Sequence, residues 1–283
     1  MDPACVVCGG RGRRQFREQG RYTIVSCTSC GLRFLDPQPT DDDLASLYSE
    51  QYFVSYDSRQ QGYDGYAAEA ENWRRTFQDR LRDLPVTKGK LLDVGAATGF
   101  FVEQARAAGW DAIGLEPSDW ASAYARRELG VEVLTGTLGS THFPDRAFDV
   151  VTLWEVIEHL PDPAATLQEI RRVLRPGGSL VLSTPDAGSL VARASGRRWL
   201  GWRKVPEHLF FFDRPNLDRL LASSGFVPVR HRYASLTVSA AFALERGFSL
   251  LGLSNSWQAP QWIARRSIRI NPGYDLLVVA TRT

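Results

Sequence analysis

Short runs of Leu, Val and Ile alternate, from about residue 88 onward, with stretches in which apolar residues recur every three or four positions. The apolar runs predict strands at 90–94, 112–116, 131–135, 149–154, 179–184, 227–233 and 275–281. Helical periods between them predict βαβ units, hence an α/β fold whose sheet is mostly parallel and covered on both faces. Pro176-Gly177-Gly178 predicts a turn that launches the fifth strand. Thr40 ahead of Asp41, Asp42 and Asp43 is a helix start, a capping hydroxyl followed by carboxylates at the positive end of the dipole. A polar helix is expected at 67–84. Residues 239–270, between the last two strands, form an apolar and aromatic insertion expected to be helical.

Composition narrows the class. The chain has 283 residues and a formal net charge of +2, so no overall field points to nucleic acid. No apolar stretch reaches membrane-spanning length, and Met1-Asp2-Pro3-Ala4 lacks the charged and apolar regions of a secretory leader. A cytoplasmic protein is expected. All four cysteines fall in the first thirty residues, as Cys5-x-x-Cys8 and Cys27-x-x-Cys30. Two such knuckles supply the four thiolates of a structural zinc site, and Gly9 and Gly31 after them suit the tight turns. A redox pair, or two unconnected buried pairs, are the alternatives. The organisation expected is a zinc ribbon at 1–36, a linker or lid at 37–66, and an α/β domain at 67–283. Asp36-Pro37-Gln38-Pro39 makes the stiff exit from the ribbon.

The run Asp93-Val94-Gly95-Ala96-Ala97-Thr98-Gly99 puts a glycine-bearing loop between the first strand of the domain and the next helix. Its Gly-x-x-x-Gly spacing is not the G-x-G-x-x-G of dinucleotide folds. Asp93 would repel a pyrophosphate there but favour the ammonium and sulfonium of S-adenosylmethionine. Glu116, closing the second strand, stands where an acid binds both ribose hydroxyls.

Together with Gly114-Leu115-Glu116-Pro117, Phe148-Asp149-Val150-Val151, Glu155-Val156-Ile157-Glu158-His159-Leu160 and Val173-Leu174-Arg175-Pro176-Gly177-Gly178, this loop resembles class I S-adenosylmethionine-dependent methyltransferases related to ubiquinone-biosynthesis enzymes. The N-terminal ribbon resembles that of family members from natural-product and polysaccharide pathways. The resemblance implies a Rossmann-like, seven-stranded sheet with its last strand antiparallel. It also implies cofactor contacts at Asp93, Gly95, Ala97, Gly99, Glu116, Pro117, Thr137, Leu138 and Trp154. Ala97 stands where the family usually has glycine, and Thr137 where an acid often binds the adenine amino group.

Reaction chemistry in such sheets occurs beyond the carboxyl ends of the strands. If a helix begins at Glu155, then Glu155, Glu158 and His159 share one face. With His208 of Pro206-Glu207-His208-Leu209 they resemble the divalent-metal ligands of ubiquinone-type O-methyltransferases and small-RNA 2′-O-methyltransferases, for magnesium or another divalent ion. His159, His208 and Glu155 are equally candidates for acid–base work, or for structural roles in a fold where the acid caps a helix. His142 and His231 read as an ordinary loop and strand histidine. Trp199, Trp202 and Arg203, with the insertion's Phe242, Phe248, Trp257 and Trp262, are expected to roof the acceptor cleft, unless these aromatics simply pack the domain or form a homodimer contact. The function expected is O-methylation of a small-molecule acceptor, with no nucleic-acid partner. RNA methylation, or an inactive ribbon protein serving as an interaction module, are the alternatives.

Overall fold

The computed structural model describes residues 4–40, 43, 44, 53, 69–244 and 266–283. The N-terminal module is a meander of β1 (Arg13–Gln19), β2 (Tyr22–Cys27) and β3 (Arg33–Asp36), all antiparallel. Its interior is Ile24, Leu32 and Leu35, each at most 1 % exposed. The polar composition of β1 hides it from an apolar-run criterion, because only its Phe16 side packs inward. At the exit, the Thr40 hydroxyl accepts from the Asp43 N–H while Asp43 accepts from the Thr40 N–H, the reciprocal cap expected of a helix start. Most of the expected linker or lid lies outside the described residues.

The main domain opens with α1 (Ala70–Leu81), which buries Thr76, Phe77 and Arg80. Then β4 (Lys90–Val94), α2 (Phe100–Ala107), β5 (Asp111–Glu116), α3 (Asp119–Glu128) and β6 (Val133–Thr135) build one half of the sheet. The chain then crosses back to form β7 (Phe148–Trp154), α4 (Pro163–Val173) and β8 (Leu174–Pro185). The helices start where capping chemistry puts them. Asp162 accepts from the Ala165 N–H at α4, with Pro163 at the first helical position. Leu167, Ile170 and Val173, three residues apart, then face the sheet.

Next come α5 (Leu190–Ser195), the two-residue β9 (Phe210–Phe211), α6 (Arg214–Ser223) and β10 (Phe226–Tyr233). β11 (Leu236–Ser239) and β12 (Ser267–Ile270) pair with each other, and β13 (Asp275–Arg282) ends the chain. The sheet order is β10-β13-β8-β7-β4-β5-β6. β4 to β8 run parallel, and β13 is antiparallel to both its neighbours. This is the seven-stranded, mostly parallel sheet expected, with its last strand antiparallel and buried apolar clusters on both faces. The strand order reverses between β4 and β7, the switch point at which such sheets open a ligand crevice.

Three differences from the sequence reading have physical causes. Pro176-Gly177-Gly178 lies within β8 as a register break: pairing passes from Phe148–Leu174 to Val150–Ser179, with Gly177 at φ +72°. The insertion opens and closes in a strand pair, Leu236–Ser239 with Ser267–Ile270, and the helix expected of it is described at 240–244, directly after β11. Only residues up to 244 and from 266 of it are described, so Phe248, Trp257 and Trp262 lie outside. The third is that the ribbon is not a free-standing module: β9, from deep in the main domain, is the fourth strand of its sheet.

Candidate functional site

A cavity of about 830 Å3 opens at the carboxyl ends of β4, β5 and β7. Its first wall is the loop after β4. Gly95 and Ala96 donate their N–H groups to the Leu115 carbonyl at 2.8 and 3.1 Å, tying the loop to β5. Gly95 has φ +74°, and a Cβ there would sit 2.5 Å from Val156 Cγ2, so both conformation and closeness require glycine. Ala97 also holds a left-handed φ of +48°. What pins it is Glu116, which accepts from the Ala97 N–H at 2.9 Å and the Ser118 N–H at 3.0 Å. Alanine at the family's glycine position is thus accommodated at modest strain, compensated by a charge-assisted hydrogen bond.

Burial pushes Glu116 up to about 6, although both N–H groups pull it down. Asp93 lies behind this wall, 2 % exposed, and accepts from the Thr152 hydroxyl at 2.6 Å. Burial, with the nearby Glu116 charge adding to it, raises Asp93 to about 8. Glu116, Pro117, Thr137, Leu138, Gly95, Ala97 and Trp154 all line the cavity; Asp93 and Gly99 do not. Gly99, at φ +84°, instead starts α2. Motif reading missed Phe53 and Trp120, whose rings stack at 5.8 Å beside Glu116's neighbours in the wall. The signal for them was weak: a lone aromatic in the first turn of α3 and another in a tyrosine-rich connector.

At the other end, β7 does not run into an α-helix. Glu155 takes φ +54° and donates its N–H to the Ser183 carbonyl, and a single 3-10 turn, Ile157–His159, follows. The three-residue pitch separates the expected quartet. Potential ligand atoms of Glu158, His159 and His208 lie within 4.8 Å of one another, and Glu155 is not in that group. The two imidazoles meet edge to face at 4.8 Å. Glu158, 1 % exposed, accepts from the Thr184 hydroxyl at 3.0 Å with one oxygen, while the other has no partner among the described residues. Burial drives His159 down to about 3, His208 well down and Glu158 well up, so both imidazoles are neutral at pH 7. Burial and the Asp275 charge raise Glu155, which faces the cavity, to about 7 against the pull of Lys204 and Arg80. One carboxyl group with two neutral imidazoles fits a divalent ion of the zinc or manganese kind better than magnesium, which prefers oxygen.

The four cysteines are free thiols brought to one point. Cys5–Cys30 and Cys8–Cys27 sulfur pairs are each 3.6 Å apart, and all four lie within 4.8 Å. Tetrahedral zinc, with bonds of about 2.3 Å, requires sulfurs roughly 3.8 Å apart, so the set fits that ion. Gly9 and Gly31 turn back with φ +71° and +78°, donating their N–H groups to Cys5 and Cys27 carbonyls.

Trp199, Trp202 and Arg203 are not in the cavity wall. Both tryptophans are 2 % exposed: Trp202 forms the seam between ribbon and main domain, and Trp199 packs behind it against Tyr274. Trp202 packs on Phe16 at 4.9 Å and Phe211 at 5.0 Å, and its indole N–H donates to the Gly196 carbonyl. The Arg203 carbonyl accepts from Gln19 of the ribbon. The apolar side chains that do line the cavity include Phe53, Val156, Leu160 and Ala165. His231, on β10, pairs with Asp218 of α6 at 2.7 Å, an ordinary strand histidine.

Comparison with known proteins agrees with this geometry. Residues 63–231 match the family described as a methyltransferase domain. A demethylmenaquinone methyltransferase of Renibacterium salmoninarum is 29 % identical, over 53 % of this chain and 60 % of its own. A ubiquinone biosynthesis O-methyltransferase of Methylococcus capsulatus is 36 % identical, over 34 % of this chain and 43 % of its own. The chain thus spans about half the length of the curated relatives it matches. The 1,6-didemethyltoxoflavin-N1-methyltransferase of Burkholderia thailandensis superposes with a TM-score of 0.54 at 17 % identity, covering 95 % of this chain and 99 % of that one, which speaks to the fold.

Proposed function

This chain belongs to the methyltransferase-domain family, and from that premise we propose that it is an S-adenosylmethionine-dependent methyltransferase acting on an oxygen of a small-molecule acceptor. The observation that carries the reading is one cavity joining the Gly95–Ala97 loop and the Glu116 carboxylate to Glu155 and His159. The cofactor, when bound, supplies a methyl group on a positively charged sulfur that is already a good leaving group. The chain's work is then alignment and proton removal. Glu116 would accept from the ribose hydroxyls, Thr137 and Leu138 would flank the adenine, and Asp93 would favour the amino end through the loop it underlies. Trp154 and Val156 exclude water at the transfer point. Glu155, raised to about 7 and facing the cavity, takes the acceptor hydroxyl's proton.

Glu158, His159 and His208 would hold a divalent ion, which lowers the acceptor's pKa. The four cysteines would hold a structural zinc that leaves no open position for chemistry. The similarity to a ubiquinone biosynthesis O-methyltransferase supports an oxygen acceptor. Incubating purified protein with methyl-labelled cofactor and a host extract, with and without RNase, tests the reading. Label in an RNase-insensitive small molecule is the expected outcome. Label that disappears with RNase shifts the acceptor to RNA, and no label together with no calorimetric cofactor binding leaves a ribbon protein without transferase activity.

A further inference from the structure

The ribbon and the reaction end of the cavity share main-chain hydrogen bonds. β3 pairs with β9 in the register Arg33–Phe211 and Phe34–Phe210. One residue further along, the Leu35 N–H donates to the Leu209 carbonyl at 2.9 Å. On its other side, the Leu209 N–H donates to the Glu158 carbonyl at 2.8 Å. Leu209 is 1 % exposed and directly follows His208, so its backbone is held between the ribbon and the 3-10 turn that carries Glu158 and His159. Buried backbone groups need partners, and here the ribbon provides one of them. β3 starts three residues after Cys30, and the Cys27 N–H donates to the Leu32 carbonyl, so the thiolate cluster fixes where β3 begins. The Arg33 guanidinium lies 4.5 Å from the Phe16 ring and 5.3 Å from the Trp202 ring, riveting the same joint from its side-chain face. The glycine loop and Glu116, by contrast, hang on β4 and β5, whose register is set by each other.

We propose that the ribbon is a positioning element of the reaction site: with its metal bound, β3 fixes β9 and so holds His208 against Glu158 and His159. Loss of the ribbon metal then disables transfer while sparing the cofactor end. This rests on Glu158, His159 and His208 being reaction residues, and the two claims are separable by experiment.

The chain has only four histidines, His142, His159, His208 and His231, so isotope-labelled histidine gives a readable NMR spectrum. In the Cys5→Ser/Cys8→Ser protein, ring signals of His159 and His208 should move or broaden while those of His142 and His231 stay. S-adenosylhomocysteine affinity should stay within about twofold, as for uncoupled sites. Turnover should fall about a hundredfold, the scale of an ångström-sized misplacement. Arg33→Ala, with all cysteines intact and zinc content unchanged, should shift the same two histidines, and Arg33→Lys should partly restore them. Unmoved His159 and His208 signals in a metal-free ribbon variant that circular dichroism shows folded would overturn the proposal. Should that variant unfold, unmoved signals in Arg33→Ala overturn it. Full turnover in His208→Ala removes His208 from the reaction, while the histidine spectra still decide whether the ribbon and the turn are coupled.

Discussion

Glu116→Gln separates what the cofactor site needs from what the fold prefers. The substitution keeps the side chain's volume but deletes the charge, and because the Ala97 and Ser118 N–H groups meet different carboxylate oxygens it leaves an acceptor for only one of them, much as the protonated acid does. Burial holds Glu116 at about 6, above its ordinary 4.5. An acid raised in the folded state stabilises the fold fully below its unfolded pKa, and that contribution is lost as pH rises through the folded value. For this group the loss is about 2 kcal/mol by pH 7.5. Cofactor-free Glu116→Gln should therefore melt a few degrees higher than the parent at pH 7.5, a difference that vanishes towards pH 4.5. Affinity should move the other way. Two charge-assisted bonds to ribose hydroxyls weaken, costing about 1–3 kcal/mol, or roughly 5- to 150-fold in Kd. Below pH 6 the parent's affinity should itself fall by up to about tenfold per pH unit as the carboxylate protonates, whereas the glutamine variant stays level. Calorimetry with S-adenosylhomocysteine across this range, beside thermal melts without ligand, measures both. Equal affinity in the two proteins, or the same pH slope, would refute the assignment of Glu116 to the ribose.

Gly95→Ala should weaken cofactor binding by about tenfold or more, because its methyl meets Val156 and its φ is left-handed; fluorescence or calorimetric titration checks this. Trp202→Ala should cost about 3–5 kcal/mol of stability in urea titration, the usual penalty for a large buried aromatic, with cofactor affinity unchanged. A raised acceptor KM at unchanged stability would instead return Trp202 to the cleft. Exhaustive chelation should abolish turnover and added zinc or manganese should restore it, with ribbon zinc measured in parallel; activity that survives with metal analysis at zero leaves Glu158, His159 and His208 as acid–base or packing groups only.

The inner strands of the central sheet were legible because they are buried on both faces and so read as unbroken apolar runs, whereas the edge strand β10 leaves Val227 and Val229 exposed. β4 spans the very residues expected, and β5, β7, β10 and β13 differ by a residue at one end or the other. The ribbon's first strand was not legible, since Arg13–Gln19 is almost wholly polar and the cysteine knuckles, not the core, carry the signal. The glycine loop after β4 and the acids ending β4 and β5 were readable because loop spacing and strand ends are features local in sequence. The reaction end was only half readable. Glu158, His159 and His208 converge as their pattern suggested, yet the 3-10 turn that sets Glu155 apart depends on a left-handed residue no propensity foretells. Trp199 and Trp202 looked like cleft residues because sequence cannot distinguish an aromatic that meets a ligand from one that meets the rest of the protein.

The joint between β3 and β9 also sets an order of assembly. Arg33 and Phe211 lie 178 residues apart in the chain, so the ribbon's fourth strand emerges from the ribosome long after its first three. Strands β1 to β3 have time to pair and wait, the β3 edge open, while the rest of the chain is made. Such an edge invites pairing with other chains until its own partner arrives. The slow, long-range closure that follows is thus the step most exposed to misassembly during synthesis, and crowding of nascent chains or scarcity of metal at that moment should lower the yield of folded protein without altering the stability of what does fold.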